Sequence, residues 1–369
     1  MKNSEPFCYA PWTTVQYSGV YSGGGISPCC EWRLEKFKGN IKDYNSSEYL
    51  KEIKNAMIAH DMDFIKKSCN ECIMAETHGI KSARNYIHRS IENKKYKIDT
   101  INKLDYRPDN LCNLKCRMCS VESSSLIEEE YVKHKLSKPV PKRDTSDVLD
   151  FDLTNLKTLA ILGGEPTVNK NLFPILDYFI ENNKTDSLRL QYTTNCTSIN
   201  SPWMNRIKKF SDVNVNLSLD GAGKAYEYIR TGASWNKAEK NIPKILDIAN
   251  DYSINICIQM VNFVLVEDWI EYFFRFDPDK VYMNPMYGTV PGKVDCIPDE
   301  IREQKISYLD SLNHPIATQL SNRFKNYNFK SNELERYKIF NNQLDKIRNT
   351  NLTDLDPIFK DILEFNTLR

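Results

Sequence analysis

The 369-residue chain has no apolar run of 18 residues or more, which argues against a membrane-spanning helix. Its first residues, MKNSEPFCYAPW, lack the basic stretch and apolar core of a secretory signal, so the sequence reads as cytoplasmic with reduced thiols. Charge of one sign is missing too. Fifty Lys and Arg face 49 Asp and Glu, a net +1 that sets up no global field. No basic stripe interleaved with aromatics points to a nucleic acid. Internal repeats and long low-complexity segments are absent, and 41% hydrophobic with 27% charged residues excludes collagen-like, mucin-like and disordered chains. The length allows roughly 2.5 domains at about 150 residues each.

What the chain does have is cysteine, 11 residues in all. That is too sparse for a small secreted disulfide scaffold, and in a reducing compartment clustered thiols point to metal. The sharpest cluster is CNLKCRMC, with Cys112, Cys116 and Cys119 in one loop directly after a strand-like segment. Three thiolates there can hold three irons of a [4Fe-4S] cube and leave the fourth iron open; the spacing alone also admits a partial zinc site with a distant fourth ligand. A second group precedes it. Cys8 is followed by a glycine-rich hairpin signal, VQYSGVYSGGGISPCCEW, with Cys29 and Cys30, and then by CNEC with Cys69 and Cys72.

The CxxxCxxC loop resembles the signature of radical S-adenosylmethionine (SAM) enzymes. The resemblance continues in order through LKTLAILGGEPTV, RLQYTTNC and VNVNLSLDG. It implies that Cys112, Cys116 and Cys119 hold a site-differentiated [4Fe-4S] cluster, and that Gly163, Gly164, Glu165 and Pro166 form a loop for the SAM amine. The glycines would let backbone approach the ligand and Glu165 would accept from the ammonium. Met118 would pack near adenine. Asn195, Ser218, Asp220 and Arg230 would lie near the cofactor, Arg230 meeting a carboxylate. The front group resembles a twitch or SPASM auxiliary module, although that module ordinarily follows the barrel. On this resemblance Cys8, Cys29, Cys69 and Cys72 bind one auxiliary [4Fe-4S] cluster, with Cys30 the substitute for Cys29; a four-thiolate zinc site is the plainer alternative. Glu76, His78, Ser82 and Arg84 follow the last pair and are candidates to line its site. Cys257 reads as core, and Cys196, at a strand end, as a candidate hydrogen donor to a substrate radical.

Around the motifs, short apolar strands alternate with amphipathic helices from about 99 to 290, which predicts a parallel sheet with chemistry at the carboxyl ends of the strands. Six strands are expected, at 101–107, 156–162, 187–193, 213–219, 255–261 and 280–286, with helices including 171–183, 201–210, 236–250 and 265–276. The fold expected is α/β: a partial (β/α)6 TIM-type barrel at 99–295, a cysteine-rich auxiliary module at 1–98 with a helix break near Gly79, and a helical C-terminal extension at 296–369. The resemblance implies a radical SAM oxidoreductase that cleaves SAM reductively to a 5'-deoxyadenosyl radical and abstracts hydrogen from a peptide or protein. Its electron donor would be a flavodoxin or ferredoxin. A nucleotide, sugar or other small metabolite is the alternative substrate, and a non-catalytic zinc-binding interaction protein the remote alternative.

Overall fold

The computed structural model describes residues 7–20, 24–77, 81–286 and 290–365. Its frame is one eight-stranded sheet built from β1 (Thr14–Ser18), β2 (Gly25–Ser27), β3 (Lys103–Arg107), β4 (Thr158–Ile161), β5 (Arg189–Thr194), β6 (Asp212–Ser218), β7 (Asp251–Ile258) and β8 (Val281–Pro285). The order is β2-β1-β3-β4-β5-β6-β7-β8, with β2 antiparallel to β1 and every other pair parallel. This is the expected partial TIM-type barrel, with all six expected strands in sequence order. The front segment does more than carry cysteines: its hairpin adds β1 alongside β3, Gln16 facing Asp105 and Ser18 facing Arg107, and so extends the sheet by two strands.

Strand alternation sets the two faces. Along β6, Val213, Val215 and Leu217 are buried while Asn214, Asn216 and Ser218 are half-exposed on the other face, and β7 repeats this with Ile254, Ile256 and Ile258 against Asn255 and Cys257. The apolar face packs under helices. The concave face is polar, so the lumen is not filled by the branched side chains that close a complete barrel's interior.

In the front segment, α1 (Ala10–Thr13), α2 (Glu48–Ile58), α3 (Met62–Ser68), α4 (Asn70–Thr77) and α5 (Ala83–Glu92) gather beside β1. Capping fixes their starts: Ser47 accepts from Leu50 N, Asp61 from Asp63 N and Phe64 N, and Ser82 with Asn85 forms a capping box. The expected break near Gly79 lies outside the described residues. In the barrel, α6 (Ser125–Lys133) follows β3, α7 (Phe173–Glu181) β4, α8 (Ser201–Ile207) β5, α9 (Gly223–Ile229) and α10 (Trp235–Leu246) β6, and α11 (Met260–Val264) β7. The helix expected at 265–276 is instead two 3-10 turns, Val266–Asp268 and Ile270–Arg275. The three-residue repeat directs Ile270 and Phe273 inward together, and Trp269 is buried with its Nε1 donating to Asn262 O at 2.7 Å. The C-terminal segment folds into α12 (Asp299–Ser311), α13 (Pro315–Phe324), α14 (Ser331–Arg348) and α15 (Ile358–Glu364). Among the described residues no helix is long and apolar enough to cross a membrane.

Candidate active site and cysteine pocket

The loop from Leu111 to Ser120 hangs from the carboxyl end of β3 and is fastened on every side. Lys115 N donates to Thr231 O at 2.9 Å and Arg117 N to Ile229 O at 2.8 Å, joining the loop to the end of α9. Ser124, which caps α6, also donates its hydroxyl to Leu114 O at 2.6 Å. Asn113 Nδ2 donates to Thr197 Oγ1 at 2.9 Å, and Asn113 Oδ1 accepts from Asn195 Nδ2 at 3.0 Å, so the end of β5 reaches the cysteine loop directly.

Gly163 and Gly164 turn where β4 ends, with φ of 87° and 56°. Their requirement is steric. A Cβ at Gly164 would stand 2.0 Å from Leu111 O, and Glu165 N donates to that same oxygen at 2.8 Å. These glycines therefore bring the GGEP turn against the cysteine loop's own backbone. Glu165 is fully buried and heavily used: its carboxylate accepts from Thr167 N, Thr167 Oγ1 and Thr194 Oγ1 at 3.2, 2.7 and 2.7 Å, and from Asn195 N at 2.7 Å. Burial raises its pKa against the pull of those four donors. Pro166 is buried at the first position of the following 3-10 turn.

The three loop cysteines lie within electrostatic reach of one another. The neighbouring Cys116 and Cys119 thiols act on each other in opposite senses, Cys116 being lowered and Cys119 raised, while burial pushes Cys112 up to about 12. Arg230 Nη1 stands 3.9 Å from Cys116 Sγ, and its Nη2 pairs with Asp220 at 2.9 Å. Burial penalises the Arg230 cation, but Asp220 and the Cys116 and Cys119 sulfurs more than offset this and hold its pKa above the ordinary value. Asp220 also accepts from Cys257 N at 2.8 Å, tying β6 to β7. Arg230 Nε and Gln259 Nε2 are buried with no hydrogen-bond partner, two donors left over at this end of the strands. Met118 is half-buried against the core, and Ser218 closes β6 on the lumen face.

Two thiols sit differently from expectation. Cys196 has φ of 63° and is fully buried in the apolar core on the helix side of the sheet, its Sγ 3.8 Å from Thr194 O; it does not face the lumen as a hydrogen donor must. Cys257, expected in the core, alternates onto the lumen face.

The front cysteines converge. Cys8, Cys29, Cys69 and Cys72 line one cavity together with Pro28, Trp32, Met57, Ile65, Ile87 and Arg84. Cys30 does not line it and instead lies near Asp105 and Arg107 of β3. Burial pushes Cys8 up to about 12 and raises Cys29, Cys69 and Cys72, so ligation there must displace protons. Arg84 is held by Glu76, Nε to Oε1 at 3.0 Å, and Ser82 bonds the same carboxylate. His78 lies outside the described residues. Among the described residues, no group of three or more His, Cys, Asp or Glu side chains is placed to hold a single metal ion.

Residues 106–276 match the family model described as the Radical SAM superfamily. That segment is a radical SAM domain, and the protein is accordingly an enzyme, of a reaction the match leaves unspecified. No curated protein matches the chain. Among solved structures it is similar to native anSMEcpe with bound AdoMet, at 19% identity over 57% of this chain and 59% of that one, with a TM-score of 0.38. It is also similar to Streptococcus suis SuiB bound to S-adenosylmethionine (15% identity, 80% and 63% covered, TM-score 0.34) and to SuiB bound to precursor peptide SuiA (14%, 63% and 51%, 0.35). The chain thus spans less than two thirds of each of these, and likenesses at this level carry no argument about its substrate.

Proposed function

We propose that this chain is a radical SAM oxidoreductase that cleaves SAM reductively and abstracts hydrogen from a peptide or protein side chain, assisted by an auxiliary [4Fe-4S] cluster. The observation that carries the reading is the presence of two separate thiol sets, three in one braced loop and four around one cavity. The donor chemistry fits. Cys112, Cys116 and Cys119 would hold the open cluster, and the leftover donors of Arg230 and Gln259 suit a polar cofactor beside it. When bound, the cluster and SAM supply a carbon radical able to take hydrogen from an unactivated C–H bond. Met118, the Gly163 to Pro166 turn, Asn195, Ser218, Asp220 and Arg230 would surround the cofactor, Asp220 keeping the Arg230 guanidinium fixed and Glu165 positioning the turn.

Residues 1–98 would act as the auxiliary module, with Cys8, Cys29, Cys69 and Cys72 as its ligands. Four thiols arranged around a space suit a multi-atom inorganic core better than one zinc ion. Arg84 would place a cation beside that core. Residues 99–295 would supply the barrel and 296–369 its extension, with a flavodoxin or ferredoxin as reductant.

A second reading, a small polar metabolite as substrate, is favoured by the lumen. There Asn216 accepts from Asn255 Nδ2 at 2.8 Å and Ser253 Oγ at 3.2 Å, and Arg107 pairs with Asp105 at 2.8 Å, a lining of short amides, hydroxyls and one ion pair. Anaerobic reconstitution with iron and sulfide, followed by SAM-cleavage assay and mass analysis of candidate peptides, separates the cases. Dithionite-dependent 5'-deoxyadenosine with a peptide mass change is the expected result. Cleavage without any peptide change moves the substrate to the second reading, and zinc without iron or sulfide sinks both.

A further inference from the structure

The geometry points to α14 as a clamp that fixes the position and reduction potential of the cluster held by the Cys112, Cys116 and Cys119 loop, acting through Arg117. This rests on reading that loop as the cluster site. Arg117 stands between Cys116 and Met118 and is 4% exposed. Its guanidinium donates Nη1 to Asn341 Oδ1 at 3.0 Å, and Nη2 to Asp345 Oδ1 at 2.6 Å and Thr350 Oγ1 at 2.9 Å. Nε completes the set on Tyr228 O at 3.2 Å, and the plane lies 3.7 Å from the Tyr228 ring. Asp345 is itself fully engaged, accepting from Tyr228 OH at 3.0 Å, Asn341 Nδ2 at 2.9 Å and Leu352 N at 3.1 Å. Asn349 takes the left-handed conformation, φ 50°, that turns Thr350 and Leu352 back onto this carboxylate.

A second pair repeats the arrangement one turn on. Arg348, 1% exposed, donates to Glu130 Oε2 at 2.7 Å and to Thr231 Oγ1 at 3.2 Å, and Glu130 also receives Lys115 Nζ at 2.8 Å. Lys115 and Arg117 thus flank Cys116 and both are neutralised by this network, Asp345 coming from α14 and Glu130 being held by it. A buried charge left without its partner costs several times what an exposed one does, so a loop pinned by two such pairs has little freedom to shift. Arg117 directly follows Cys116 and its charge is cancelled by Asp345, so removing either one leaves a field of known sign at the loop. An uncovered Arg117 favours the more negative, reduced cluster and raises its potential; an uncovered Asp345 lowers it.

The test is an EPR-monitored redox titration of the anaerobically reconstituted full chain, following the cluster whose signal responds to SAM. Asp345→Asn is expected to shift its midpoint upward and Arg117→Gln downward, with the double variant returning toward the parent. Shifts of one sign, or none, in variants of unchanged iron content overturn the clamp. If either variant fails to load iron, Thr350→Val keeps both charges and removes one bond to Arg117. It is expected to speed amide exchange in residues 112–119 by about tenfold, and unchanged exchange there overturns the proposal equally. A parent chain that takes up no iron on these cysteines instead defeats the reading of the loop itself.

Discussion

The two cysteine regions solve one problem in opposite ways. The loop of Cys112, Cys116 and Cys119 gathers its thiols within eight residues and recruits restraints from far away, the ends of β4, β5 and α9 and the C-terminal turns of α14. The front pocket takes its thiols from three separate segments and is restrained locally, by apolar packing and the Arg84–Glu76 pair. On the proposed reading, the first loop would change its cluster's charge during turnover and so would need a rigid, electrically balanced seat, whereas a pocket of four thiols would be organised by what it binds.

The sharpest way to break the comparison is to remove each set in turn. Triple replacement of Cys112, Cys116 and Cys119 by Ala is expected to abolish SAM cleavage and to remove about half the iron, leaving the front cluster in place. Persistent cleavage would end the assignment. Cys69→Ala is expected to do the reverse, retaining SAM cleavage while substrate turnover is lost, whereas Cys30→Ala should keep both clusters; iron analysis with a turnover assay reads all three.

A smaller effect tests the restraint on the first loop. Gly164→Ala forces a Cβ against Leu111 O in a left-handed backbone, and its thermal midpoint should fall by the equivalent of about 3 kcal/mol. A midpoint equal to the parent's would mean that the GGEP turn can leave the cysteine loop without loss. The smallest effect is on pH. Burial raises the Glu130 pKa, but Arg348 and Lys115 override it and hold the carboxylate below its ordinary range. That pairing contributes stability in full above the unfolded carboxylate pKa of about 4.3, lost as pH falls through the depressed folded value. Glu130→Gln should therefore flatten the acid limb of the stability curve below that pH and lower the plateau above it. An unchanged acid limb in a denaturation series would show that Glu130 carries no such coupling.

The local parts of this architecture were legible in the sequence and the distant ones were not. Three cysteines in a loop, glycines ending a strand and six alternating strands each leave a contiguous trace. The count of front thiols was readable, but the choice between Cys29 and Cys30 was not, because the two stand side by side in the turn after β2, where the backbone's course decides that Cys29 enters the cavity and Cys30 lies toward β3. The hairpin was recognisable at 13–29, yet its parallel pairing with β3 depends on a partner beyond the whole front helical segment. Nothing in the sequence singles out Arg117, because its partners Asn341 and Asp345 sit more than 200 positions away. Cys196 lies two residues past Thr194, in step with the buried Leu190, Tyr192 and Thr194 of β5, so the strand's own alternation carries it to the core.

The clamp also sets an order of events during synthesis. Asp345, Arg348 and Thr350 follow every strand of the sheet in sequence, so they leave the ribosome after the cysteine loop, the GGEP turn and β8 have been made. Until then the loop carries its three thiols on a seat secured from the barrel side only. If the loop takes iron as proposed, iron delivered to the nascent chain would meet a more pliant site than the finished protein presents, and completion of α14 would be the step that withdraws that access.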